Sequence, residues 1–368
     1  MCGICGFISN RRITEHEFDK MNKVMSHRGP DDADILQWTA KDGRNVAFGH
    51  RRLSVIDLSL AGHQPMCCSD QEGKALLTVV FNGEIYNYTR LKEEMVDFTF
   101  SSNTDTEVIL ASYLKWGDEF LEHLQGMFAI ALYDHRIDRL ILARDRVGKK
   151  TLYYYINNDE IVFASELKAI MMYPGFEKKI DKTVIPGYLH YGCIRGEKSI
   201  FVNTYKLRPG CFLEFMNRKS KITQYWNSVQ QYHIGGRLTD SYETIKKTAN
   251  HIIHEAVKDR LVADVPVGTF LSGGIDSSLV TAVAQKLKNE PIKTFSIGFF
   301  EKEKNEAPYA KEVASYLGTD HTELYVGEEE LFNMLEDLPQ YYDEPFSDSS
   351  QIPSMLVAKL AREQVTVA

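Results

Sequence analysis

A chain of 368 residues is long enough for two cores, and 43% hydrophobic with 26% charged residues is ordinary globular composition. The formal net charge of -8 provides no general attraction to nucleic acid or to an anionic membrane, and apolar runs such as Ala75–Phe81 are strand-sized rather than bilayer-sized. The start lacks a basic segment followed by a long apolar run, so no signal peptide is expected. The six scattered cysteines read as reduced thiols of a cytoplasmic protein.

In chain order, Gly3 to Ile8 alternates small and apolar residues, as a strand beginning at the very terminus would, with Cys5 on its inward face. His16 to Met25 repeats apolar residues at helical spacing, and Thr104 to Trp116 does so more clearly through Val108, Ile109, Ala111 and Leu114. Strands are predicted at 46–50, 76–81, 127–133, 139–143, 152–156 and 161–164, with turn residues between them. Strands with few helices predict a layered α+β domain over 2–217. Polar residues and Gly235-Gly236 then mark a linker over 218–240. After it, helix 242–262 is followed by strand 267–271, helix 277–287, strand 293–298, helix 307–317 and strand 322–326, with further helices at 328–338 and 352–363. Such alternation predicts an α/β domain with a parallel sheet over 241–368. The last residues, Gln364-Val365-Thr366-Val367-Ala368, read as the beginning of another buried strand, which suggests a truncated sequence.

Cys2 is the first candidate nucleophile. Once Met1 is removed it carries a thiol and a free α-amine, groups that titrate near 8.5 and 8 respectively. That pairs a nucleophile with a base on one residue, the arrangement of an N-terminal nucleophile hydrolase. The alternatives are an ordinary residue at a frayed end, or half of a redox or zinc pair with Cys5. Asn82-Gly83, after a strand run, offers a side-chain amide and a backbone N–H, the two donors an oxyanion hole requires, although Asn-Gly also makes hairpin turns. Glu84 and Asp105 are carboxylates suited to a substrate ammonium, and Arg52 is suited to a carboxylate. Asp105 also has the simpler reading of a helix cap, and His27-Arg28-Gly29-Pro30-Asp31 that of a plain turn.

In the second half, Phe270-Leu271-Ser272-Gly273-Gly274-Ile275-Asp276-Ser277-Ser278 follows a strand and opens a helix. Its glycines allow close backbone approach, and its hydroxyls and the helix N-terminus form a phosphate cradle. Asp276 would repel phosphate unless a Mg²⁺ bridges them. The absence of GxxxxGK[ST] excludes a kinase-type loop. The string resembles the PP-loop of ATP pyrophosphatases, which split ATP between the α and β phosphates.

Together the motifs resemble the glutamine-dependent asparagine synthetases. The likeness runs through MCGICGF, HRGPD (27–31), RLSVIDL (52–58), NGEIYN (82–87), QGMFAIALYD (125–134), RDRVGKK (144–150), FASELKAI (163–170), DVPVGTFLSGGIDSS (264–278) and YYDEPFSDSSQIP (341–353). The resemblance implies a class II glutamine amidotransferase domain with an αββα sandwich fold, followed by an incomplete PP-loop synthetase domain. It assigns Cys2 as nucleophile, Asn82 and Gly83 as oxyanion hole, and Arg52, Asn82, Gly83, Glu84 and Asp105 as the glutamine site. It also places Phe270, Leu271, Ile297 and Gly298 against adenosine, and Ser272, Gly273, Gly274, Asp276, Ser277 and Ser278 around the pyrophosphate, which agrees with the Mg²⁺ suggested at Asp276 by the loop's own chemistry. The implied reaction takes ammonia from glutamine to an aspartate activated by ATP as β-aspartyl-AMP. No nucleic-acid or membrane partner is expected, and a homodimer is compatible with the sequence. Two departures stand out. The family's SGxGxDE motif would begin past Ala368, and Thr151 replaces a common proline. Acceptor-specific residues would lie largely past Ala368 too. A different carboxylate acceptor, as in β-lactam-forming or surface-sugar-modifying relatives, therefore stays open, as does a glutaminase-like remnant without synthetase activity.

Overall fold

Short alternating runs separated by turns assemble into twelve strands in the first part of the chain. They are β1 (Gly3–Ser9), β2 (Asp32–Thr39), β3 (Asn45–Arg52), β4 (Met66–Ser69), β5 (Ala75–Ile85), β6 (Gly126–Asp134), β7 (Arg139–Arg144), β8 (Tyr153–Asn157), β9 (Glu160–Ala164), β10 (Thr204–Lys206), β11 (Cys211–Met216) and β12 (Lys219–Gln224). The computed structural model describes residues 1–236, 238–301 and 305–368. They fall into two units: Met1–Gly235 with Asp343–Phe346, and Gly236–Tyr342 with Ser347–Ala368.

The first unit holds two six-stranded sheets, ordered β10-β8-β9-β1-β3-β2 and β12-β11-β7-β6-β5-β4. All pairings within them are antiparallel. Their facing sides share one core, with Ile4, Phe48 and Phe163 from one sheet and Val80, Ala131 and Leu142 from the other. The outer face of the first sheet packs Cys5 and Phe7 against Phe18 and Met21 of helix Glu15–Lys23 and against Leu167 and Ile170 of helix Leu167–Met171. The outer face of the second packs Val79 and Phe81 against Val108, Ile109 and Tyr113 of helix Thr106–Trp116. The layers are therefore helix, sheet, sheet, helix, the αββα sandwich expected. Each strand's period of two serves both of its faces. Cys5 is fully buried and free, and burial pushes its thiol up, as a packing residue requires.

The expected boundary at 217 falls inside the sheet. Asn217 and Arg218, both at positive φ, make a two-residue turn that returns the chain as β12 on β11. Residues 219–224 are thus an edge strand rather than linker, and the first unit runs on through helix Ser228–Gly235. Within the 218–240 segment, Arg237 lies outside the described residues.

In the second unit, β13 (Gly268–Phe270), β14 (Lys293–Phe299) and β15 (Asp320–Val326) form a parallel sheet in that order. Helices Ile275–Leu287 and Ala307–Leu317 make the crossovers. Helix Tyr242–Arg260 precedes them, capped by the Ser241 side chain accepting from Thr244 N. At the far end, Val367 pairs in parallel with Val267, and Gly268 N donates to Val367 O at 2.8 Å. The strand expected near the end therefore begins beside β13.

Candidate active sites

The nucleophile candidate sits where β1 begins, between β9 and β3. Cys2 Sγ lies 3.4 Å from Leu53 N and 3.7 Å from Leu53 O, and Arg28 Nε donates to Cys2 O at 2.8 Å. Burial pushes the Cys2 thiol up. The Leu53 peptide, the chain terminus and the Lys150 ammonium pull against this, and Asp105 adds to the rise. Lys150 is itself buried, and desolvation lowers its pKa; its Nζ reaches Met1 Sδ at 3.1 Å. An ammonium in this position favours the thiolate.

Asn82 and Gly83 lie within β5 near its end, opposite Ala129 and Phe128 of β6, so they form no hairpin turn. A Cβ on Gly83 would collide with the Met127 carbonyl, which is why this strand position takes glycine. Asn82 is fully buried, and its Nδ2 makes a long 3.5 Å contact to Ser165 Oγ. Its Oδ1 has no hydrogen-bond partner. Ser165 Oγ also accepts from Ile4 N at 3.0 Å, tying β5 to β1 near the nucleophile. Thr151, the departure from the common proline, donates through Oγ1 to Ser165 O at 2.8 Å.

Asp105 precedes helix Thr106–Trp116 but makes no capping bond with its side chain. Its Oδ2 instead accepts from Ile85 N at 2.8 Å, at the end of β5. Burial raises its carboxyl to about 6, against the Ile85 and Thr104 donors. A buried carboxylate of this kind costs free energy until a cation arrives. Glu84 lies close enough to Lys150 to raise its pKa. Arg52 is buried, and its guanidinium donates to the carbonyls of Ser59 at 2.9 Å and of Asp57. Here it holds the 56–59 loop rather than standing open. Cys2, Asn82, Gly83, Glu84 and Asp105 are thus gathered around the β1 and β5 ends, with Arg52 next to Leu53. Arg28, Lys150 and Ser165 join them, three residues to which the sequence reading gave no role. The signal was present, because HRGPD, RDRVGKK and FASELKAI carry them.

In the second unit, the chain passes from β13 through Ser272-Gly273-Gly274 into helix Ile275–Leu287. Gly273 has φ 78°, and a Cβ there would press on Tyr309 and Ala310 N. Ser272 Oγ and Ser277 Oγ are 3.0 Å apart, and Ser277 Oγ accepts from Ser272 N at 3.2 Å. Ser278 Oγ is buried without a partner. Asp276 is exposed in the first turn of the helix, and Leu271 is buried while Phe270 stays partly open. A Cβ on Gly298 of β14 would meet the Tyr325 ring, so the backbone there is closely covered. Among the described residues, no group of three or more His, Cys, Asp or Glu could hold a metal, and no helix is long and apolar enough to cross a membrane.

The first unit is thus an αββα sandwich with a cysteine just ahead of an inner strand, and the second carries a parallel sheet with a serine-glycine loop between strand and helix. The family model described as glutamine amidotransferase domain matches residues 1–226, and that of asparagine synthase matches 248–368. A putative glutamine-hydrolysing asparagine synthetase of Methanocaldococcus jannaschii is 37% identical over all of this chain and 73% of its own length. A glutamine-hydrolysing asparagine synthetase of Bacillus subtilis is 33% identical over 94% of this chain and 57% of its own length. The Gibberella zeae amidase chry2 is 32% identical over 99% of this chain and 57% of its own. A solved allosteric regulatory enzyme of purine biosynthesis aligns over 93% of each chain at 14% identity and TM-score 0.48. The chain belongs to the glutamine-hydrolysing asparagine synthetase family. It spans little more than half the length of the Bacillus relative.

Proposed function

We propose that this chain makes asparagine from aspartate, taking ammonia from glutamine at Cys2 and activating aspartate with ATP at the Ser272–Ser278 loop. The observation that carries the reading is the setting of Cys2, with its carbonyl held by Arg28 and its sulfur against the Leu53 peptide and the Lys150 charge. With Met1 removed, the α-amine takes the thiol proton as sulfur attacks the glutamine δ-carbonyl. Asn82 Nδ2 and Gly83 N–H receive the developing oxyanion. The loose Asn82–Ser165 contact leaves that amide free to turn toward substrate. Collapse of the intermediate expels ammonia, the amine supplying the proton, and water then cleaves the thioester to glutamate. The Asp105 and Glu84 carboxylates hold the substrate ammonium, whose charge relieves the burial of Asp105, and Arg52 turns from the Ser59 and Asp57 carbonyls to the substrate carboxylate.

At the loop, the β-carboxylate of aspartate attacks the α-phosphorus of ATP and pyrophosphate leaves. Ammonia then displaces AMP from the acyl-adenylate. Releasing ammonia within the protein keeps it unprotonated and locally concentrated. The amides at the start of helix Ile275–Leu287 and the Ser272, Ser277 and Ser278 hydroxyls suit pyrophosphate, and the orphaned Ser278 Oγ lacks only such a partner. Phe270, Leu271, Ile297 and Gly298 are the adenosine-side residues of this proposal. Mg²⁺ fits the exposed Asp276 carboxylate beside phosphate oxygens, where it would offset negative charge.

The test is an acceptor screen with AMP as readout, supplied with glutamine, ATP and Mg²⁺ and run on this chain and on a version extended past Ala368. Aspartate-dependent AMP and asparagine are the expected products. Because an amidase shares the family's sequence, activity with another carboxylate and none with aspartate would replace the acceptor. Glutamate release without any AMP would leave a glutaminase only.

A further inference from the structure

We propose that Asp343, working through Lys168, Glu166 and Arg28, is a positioning residue for the Cys2 nucleophile. The proposal rests on the reading of Cys2 as a glutaminase nucleophile and adds a residue from far along the chain to that site.

The contacts form a continuous series. Arg28 Nε donates to Cys2 O at 2.8 Å while its Nη1 donates to Glu166 Oε1, also at 2.8 Å. Glu166 stands 3.1 Å from His27 Nε2 and 3.1 Å from Lys168 Nζ. Lys168 Nζ is 3.2 Å from Asp343 Oδ1, and Lys168 N donates to Asp343 Oδ2 at 3.1 Å. The side chains of Arg28, Glu166, Lys168 and Asp343 are 11%, 10%, 10% and 7% exposed, so solvent screens these charges weakly.

The signs alternate: guanidinium, carboxylate, ammonium, carboxylate. Burial alone would raise the Glu166 carboxyl, but His27 and Arg28 outweigh it and hold it at about 2. Glu166 is therefore a fixed negative charge contested by several cations. Asp343 satisfies Lys168 from the other side, which leaves Glu166 to hold Arg28. Without the Asp343 charge, Lys168 turns its demand on Glu166, and the Arg28 grip on the Cys2 carbonyl loosens. The neighbouring Glu344 keeps Asp343 in place, since its carboxylate accepts from Ile200 N at 2.7 Å and from Lys206 Nζ at 3.0 Å. Asp343 touches neither thiol nor substrate; it acts on where the thiol points.

The experiment uses the full chain and measures glutamate release with glutamine varied, together with the alkylation rate of Cys2 by iodoacetamide. Asp343→Asn is expected to lower kcat about five- to twentyfold with glutamine KM within about twofold, and to shift Cys2 alkylation severalfold. Asp343→Glu should recover most of the loss. Removing both charges in Asp343→Asn/Lys168→Met should cost less than the two single losses combined, because neither charge is left without its partner. An unchanged kcat and alkylation rate in Asp343→Asn, a KM rise in proportion to the kcat loss, or additive losses would each overturn the proposal. If the unaltered chain hydrolyses no glutamine, the glutaminase reading fails instead. The alkylation rate then still decides whether Asp343 positions Cys2.

Discussion

The Cys2 site draws on β1, β3, β5, the head of helix Thr106–Trp116 and the segments after β7 and β9, whereas the Ser272–Ser278 loop takes its polar groups from seven consecutive residues. At the first, Asn82 and Asp105 are buried, and the Asp105 carboxylate is already held by Ile85 of β5. At the second, the Ser272 and Ser277 hydroxyls bond each other and the loop's own backbone across an open turn. A dispersed site is preorganised by the whole fold and pays in desolvation; a contiguous one is built by local geometry and waits for its ligand to complete it.

The sharpest way to break this comparison is at the nucleophile. Cys2→Ala should reduce glutamate release by more than about a thousandfold while leaving ATP–pyrophosphate exchange untouched. Residual glutaminase activity would remove Cys2 from the mechanism. At the loop, Asp276→Ala is expected to cut ATP–pyrophosphate exchange about a hundredfold without altering glutamine hydrolysis. An unaffected rate would mean that this carboxylate holds no metal.

Asp105 allows the dispersed site to be titrated. Its carboxyl is raised to about 6, so glutamine KM should climb as the pH falls through that value. For stability the sign is opposite. The protonated form is favoured by folding, and that advantage is lost as pH rises through about 6. Asp105→Asn should therefore stabilise the substrate-free protein at pH 8, by on the order of 1–3 kcal/mol in thermal or urea unfolding, with no gain at pH 4. It should also raise glutamine KM about tenfold or more. A variant with unchanged KM would leave Asp105 a purely structural group. The smallest effect belongs to the loop: Ser278→Ala should raise ATP KM about threefold to tenfold, and an unchanged KM would show that this orphaned hydroxyl does not meet phosphate.

The same contrast explains what could be read from sequence. SGGIDSS declares itself because its chemistry lies within one turn and its strand-to-helix setting shows in the flanking pattern. Cys2 was legible through its position, and Asn82-Gly83 through residue type, but their convergence was not. The strands that went unread are instructive. β2 and β12 expose most of one or both faces and carry polar residues, and β4 and β10 are only four and three residues long, whereas β11, Cys211–Met216, is a buried apolar run that the strand rules should have caught. The ion pairs from Arg28 to Glu166 and from Lys168 to Asp343 join residues 138 and 175 positions apart, and no local pattern encodes them. Asp105 shows the limit of local rules: its residue type and place suit a cap, yet the folded chain turns its carboxylate to Ile85.

The place of β1 within its sheet has a consequence for biosynthesis. Its two neighbours are β3 and β9, and β9 is made only at residues 160–164. β1 is made more than a hundred residues before its second flank exists. During that interval β1 presents an unpaired edge to any other strand nearby. An affinity tag fused ahead of Cys2 would keep the amine acylated, so recombinant protein for assays should carry its tag elsewhere.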